Sequence, residues 1–155
     1  MSSRLSFVLL GLSTLSGCTA TTRLYPVHGP LSTQNPPPVY VGKFSDGLKS
    51  GDISITLNDG EVAKGRWQLV PRPNSSTAVP PAGTMSAEWD SVYGTGFYVA
   101  HVLGARLYAH ALVTGNHGTV LNVEVYKPET KEDNTPGTIK GVAKDNRDNL
   151  YKVAF

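Results

Sequence analysis

The sequence predicts an all-β domain over residues 39–155. It reads as an antiparallel meander of about eight short strands with one short helix, either closed as a small barrel or folded over as a sandwich. Three observations carry this reading. From Val39 onward, short runs alternate apolar and polar residues, the period of a strand with one buried face. Clusters of Gly, Asn and Asp separate the runs, and these residues tolerate the positive φ of tight turns. Helical periodicity is nearly absent.

The first seventeen residues have a different character. Arg4 is followed by an apolar run from Leu5 to Leu15 and then by Leu15-Ser16-Gly17-Cys18. A cation, an apolar stretch and small residues before a cleavage point are the parts of an export signal. The run is well short of the roughly 20 residues that cross a bilayer as a helix. An ordinary signal in which Cys18 is a bystander thiol, or a buried cysteine in a cytosolic protein, are the weaker alternatives. Cys18 is the only cysteine of the chain, which excludes intrachain disulfides and leaves the core alone to hold the fold.

From Thr19 to Pro38 the chain is rich in Thr, Pro, Ser, Gln and Asn and ends in Pro36-Pro37-Pro38. Residues 18–38 therefore read as an extended, flexible tether between the cysteine and the domain. The alternative is that Leu24-Tyr25-Pro26-Val27 packs back on the domain.

Strands are expected near 39–45, 52–57, 61–70, 96–103, 106–114, 119–126, 138–144 and 149–155. The clearest hairpin turns at Asn58-Asp59-Gly60, and further turns fall at Gly115-Asn116-His117-Gly118 and at Asp145 to Asn149. Pro71, Pro73, Pro80 and Pro81 make residues 71–84 a long loop. Thr84 is placed to cap a short helix through Met85–Tyr93, with Gly94 stopping it. Small residues at alternate positions, Ala109 with Ala111 and Gly141 with Ala143, suit a narrow barrel interior.

Composition excludes some functions. The chain has 14 Lys plus Arg against 12 Asp plus Glu, without a basic cluster or a long block of like charge. Neither nucleic acid nor anionic headgroups are implied as partners. His28, His101, His110 and His117 form no metal-ligand spacing, although His101 and His110 fall on neighbouring expected strands. There is no nucleophile elbow, phosphate loop or dinucleotide fingerprint. Glu88 and Asp90 with Glu61 or Glu124 are the acids available for paired-carboxylate chemistry, but any dozen acids offer such pairs. No catalytic residue, cofactor or metal is assigned.

Trp67, Trp89, Tyr93, Phe97, Tyr98, Tyr108, Tyr126 and Tyr151 fit either an aromatic binding platform or, better, the core of a β domain without disulfides. The terminal Phe155 behind alternating apolar residues resembles the targeting signal of integral outer-membrane barrels. The runs are mostly shorter than the 9 to 11 residues of a membrane strand, which favours a terminal core strand.

Leu15-Ser16-Gly17-Cys18 resembles the lipobox of bacterial prolipoproteins. The resemblance implies a diacylglycerol joined by a thioether to Cys18 and cleavage just before it. Two acyl chains are a stable membrane anchor where one is marginal. In Gram-negative members an aspartate after the cysteine favours the inner membrane. Thr19 in its place implies the outer membrane, with the domain in the periplasm. Most of the chain is similar to small Gram-negative lipoproteins to which no activity is attached. The expected function is that of a lipid-anchored, non-catalytic envelope protein with a binding or structural role, its partner being an envelope protein or a glycan. The alternatives are a small barrel that binds an apolar ligand or glycan, and a hydrolase of envelope polymers.

Overall fold

The computed structural model describes residues 18–45, 47, 49–70, 84–103, 105, 107–127 and 139–155. The expected signal (1–17) and nearly all of the expected loop (71–83) lie outside these residues, as do positions 106 and 138 at the starts of two expected strands. Eight antiparallel strands form a closed barrel in chain order: β1 (Thr19–His28), β2 (Tyr40–Ser45), β3 (Ser50–Thr56), β4 (Val62–Leu69), β5 (Leu107–Gly115), β6 (Val120–Lys127), β7 (Lys140–Asp145) and β8 (Leu150–Ala154). The barrel, not the sandwich, is the form adopted. Closure by β1 pairing with both β2 and β8 leaves the sheet without an edge.

Two of the expected elements are wrong, and the errors cancel in the strand count. The tether is the first: Thr19–His28 is β1, so the barrel begins directly after Cys18 and no spacer separates the two. The domain therefore starts at residue 19 and not at 39. Thr19, Thr21 and Thr22 are β-branched residues that suit a pleated strand, while Thr22, Leu24 and Pro26 turn inward and are buried. Pro26 is tolerated because the β1–β2 pairing stops at Leu24 and the β1–β8 register shifts between Pro26 and His28.

The second error is the strand at 96–103. Its aromatic and β-branched residues form a π-helical turn at Tyr98–Val102, with Leu103 N–H donating to the Tyr98 carbonyl. Packing overrides local propensity here: Tyr98 and Val102, four residues apart, are buried together against the outside of the barrel. Asp90 holds the entry to this turn by accepting from the N–H groups of Gly96 (3.0 Å) and Tyr98 (2.9 Å), which lowers its pKa.

The helix is present as α1 (Ser86–Tyr93) and ends at Gly94, whose φ of 110° and ψ of 150° suit glycine. Its start is not capped by Thr84. Met85 N–H instead donates to Glu124 Oε1 (2.9 Å), a buried carboxylate on β6 that also accepts from Trp89 Nε1 (2.7 Å). Glu124 thus fastens the start of α1 to the barrel wall.

Two apolar cores result. Inside the barrel lie Leu24, Tyr40, Phe44, Ile53, Ile55, Ala63, Ala111, Val113, Leu121, Val123, Ala143, Tyr151 and Val153. Outside, Trp89, Tyr98, Tyr108, Tyr126 and Val142 pack between the helical segments and strands β5–β7. The remaining outer face carries Arg23, Lys43, Asp52, Lys64, Arg66, Asn122 and Lys152, all exposed. Tyr25, Val41 and Leu112 are exposed among them, so the described wall is apolar within and mostly polar without, the reverse of the arrangement in a membrane-spanning barrel. No helix of the described residues is long and apolar enough to cross a membrane.

Candidate functional site at the open end of the barrel

In a meander, the start of every odd strand and the end of every even strand share one end of the barrel. Cys18 at the start of β1, Phe44 in β2, Trp67 and Leu69 in β4, Ala109 in β5 and Val125 in β6 therefore converge, joined by Phe155 after β8. They line a cavity of about 560 Å³ with a mostly apolar wall, within the roughly 300–1,000 Å³ of small-ligand sites. Trp67, Val125 and Phe155 are only partly buried and form a layer above the filled core. Phe155 packs on Phe44 with ring centroids 5.4 Å apart. The Trp67 indole N–H donates to the Ser45 carbonyl (3.1 Å), so its polar atom is already engaged. Lys127 is the one cation of the described lining.

Cys18 is exposed at the rim of this cavity. Its neighbour Thr19 pairs with Ser45, the last residue of β2, and Ser45 also lines the cavity. The register of the barrel thus holds the sulfur at the mouth.

The opposite end is closed by hairpins of one design. Each turns through Asn and a residue of positive φ, at Gly60 (78°), Gly118 (88°) and Asp148 (62°), and is closed by the Leu57–Glu61, Gly115–Thr119 and Asp145–Asn149 backbone pairs. Successive turns are stitched together. Asn116 Oδ1 accepts from Val62 N–H (3.3 Å), Asn146 Oδ1 from Val120 N–H (3.0 Å), and Asn149 Oδ1 from Leu31 N–H (2.9 Å).

Here the structure gathers residues that sequence spacing did not connect. Asp59, Glu61 and His117 place one potential ligand atom each within 4.8 Å of one another. Their bonding is that of a turn fastener. Glu61 Oε1 accepts from the N–H groups of His117 (2.8 Å) and Thr119 (3.2 Å), and its Oε2 accepts from the Thr119 hydroxyl (2.6 Å). These donors hold the Glu61 carboxyl below its usual pKa. Asp59 accepts from Glu61 N–H, which lowers its pKa as well, and lies 3.6 Å from His117 Nδ1. Asp145 does the same work in the last hairpin, accepting from Arg147 N–H, Asn149 N–H and side chain, and the Tyr151 hydroxyl.

The other sequence candidates are dispersed. His101 in the π-helical turn packs tilted against Phe97, ring centroids 4.7 Å apart, and His110 lies on the outer face of β5 opposite Glu124, so the two do not share neighbouring strands. Glu88 pairs with Lys144 at 3.0 Å. The four acids considered for paired chemistry each serve a different local bond. Trp89 stacks with Tyr93 and Phe97 outside the barrel, where burial pushes the Tyr93 hydroxyl up to about 12. Tyr151 lies inside, 5.7 Å from Tyr40, its pKa also raised by burial. Of the eight aromatics singled out from sequence, Trp67 and Tyr126 reach the open end.

Fold and site together define a class: a small closed β-barrel with an apolar core, one end sealed by stitched hairpins and the other an apolar mouth. No family model, curated protein or solved structure matches the chain.

Proposed function

We propose that the protein is a lipid-anchored component of the cell envelope without catalytic activity. In this reading it is cut before Cys18 and its barrel is held directly against the membrane by acyl chains on that residue. The observation that carries this is the position of Cys18. The residue that ends the lipobox-like Leu15–Cys18 stands at the rim of the barrel's apolar end, one residue before β1. The polar outer wall supports a domain that rests on a membrane instead of spanning it. Thr19 favours the outer membrane and the periplasm. The engagement of both carboxylate oxygens of Glu61, Asp90 and Glu124 in structural bonds weighs against a hydrolase built on these acids, since a catalytic carboxylate needs an oxygen free for substrate.

Growth with an alkyne-bearing palmitate tests the reading. The wild-type protein is expected to take up label and partition into detergent. Cys18→Ser is expected to carry no label and to remain uncut. An unlabelled wild type, or label retained on Cys18→Ser, contradicts the anchor.

The mouth favours a second reading, a carrier of an apolar ligand. A glycan fits less well, because its hydroxyls need polar partners and this wall is mostly apolar, with the Trp67 N–H already committed.

A further inference from the structure

We propose that one acyl chain of the lipid on Cys18 folds back into the open end of the barrel and fills it; this rests on the anchoring reading above. The chain-like occupant follows from the wall. A cavity of about 560 Å³ bordered by Phe44, Trp67, Leu69, Val125 and Phe155 exposes apolar surface to water unless an apolar group covers it. The source follows from the backbone. Cys18 is itself part of the wall, and the Thr19–Ser45 pairing leaves no slack between it and the barrel. A chain attached there meets the cavity at the effective concentration of a very short linker, in the millimolar range or above. Free amphiphiles must compete with that. Lys127 places a cation at the same mouth, where the ester carbonyl oxygens of the lipid would lie.

The consequence is mechanical. Two chains in a bilayer hold a protein firmly and one holds it marginally. An anchor that keeps one chain inside its own barrel therefore grips the membrane weakly, and occupancy of the mouth sets the strength of attachment.

Two measurements test this. In the first, the lipidated protein in phosphatidylethanolamine/phosphatidylglycerol nanodiscs is compared with a secreted Cys18→Ser form carrying an ordinary cleavable signal. Dansyl-undecanoic acid is the probe, and energy transfer from Trp67 is the signal. The Cys18→Ser form is expected to bind one equivalent, and Trp67→Phe in it to lose most of the transfer. The lipidated protein is expected to bind at least tenfold more weakly. Equal binding by both forms overturns the proposal and leaves a carrier of free ligands. Binding by neither overturns it by showing that the cavity does not hold acyl chains. A mass spectrum of the mature protein without lipid on Cys18 overturns it through the anchor itself.

The second measurement needs no variant. Cells grown on a diazirine-bearing palmitate are irradiated, and the protein is digested. Adducts between the Cys18 lipid and peptides containing Leu69 or Val125 are expected. Adducts to bilayer lipids alone overturn the proposal.

Discussion

Glu61 has no exposed surface and is ionised in the native protein because the donors that seal the β5–β6 turn point at it. Its folded pKa lies below its unfolded value, so it contributes stability above the unfolded value of about 4.3. That contribution is lost as pH falls through the lower folded value. Thermal melts of the wild type are therefore expected to lose midpoint steadily from pH 5 downward. Glu61→Gln should melt lower at pH 7 and show a shallower acid slope. An unchanged slope would separate Glu61 from acid stability. A different residue-scale balance holds at Trp89. Its indole donates to Glu124, so Trp89→Phe deprives a buried carboxylate oxygen of a donor while preserving most of the packing. The expected cost is about 1–3 kcal/mol in urea unfolding. Because Glu124 also accepts from Met85 N–H at the start of α1, hydrogen exchange in α1 should rise more than in β3.

At the scale of elements, two glycines separate backbone conformation from close approach. Gly60 has φ of 78° with nothing within 4 Å of a would-be Cβ, so Gly60→Ala meets only the left-handed penalty, about 1–2 kcal/mol. At Gly65 the chain is extended, but a Cβ there would overlap the Leu112 carbonyl oxygen of the neighbouring strand. Gly65→Ala must push β4 from β5, and a further cost of about 1–3 kcal/mol from overpacking is typical. Urea unfolding should rank Gly65→Ala as the more damaging of the two; the reverse order would mean that the β4–β5 contact is loose.

For the molecule as a whole, the decisive pairings are those of β1 with β2 and β8. A chain that starts at Val39 lacks β1 and leaves the edges of β2 and β8 unpaired. It is expected to lose cooperative unfolding and to aggregate, whereas the Cys18→Ser mature chain should unfold in a single transition with a β-dominated far-ultraviolet spectrum. Cooperative unfolding of the shortened chain would show that β1 is an accessory strand. The same pairings bear on function. A tether would set the barrel away from Cys18, but β1 starts directly after it and brings it to the mouth.

Period and turn chemistry were legible in the residues alone. Alternation at Ile53-Ser54-Ile55 and the positive-φ residues at 60 and 118 marked the strands and hairpins, because both are properties of a few adjacent residues. The inward small residues Ala109, Ala111 and Ala143 marked a narrow interior for the same reason. The rest depends on contacts between residues far apart in the chain. Thr19–His28 looks like a linker in isolation, and it becomes a strand because two partner strands far along the chain supply its hydrogen bonds. Tyr98 and Val102 carry strand propensity, and they turn helically because that places both on the barrel wall. The open end was hidden for the same physical reason. Phe44, Leu69, Val125 and Phe155 each read locally as one more alternating core residue, and they form the wall of a single cavity only once the closed meander brings their strand ends around Cys18.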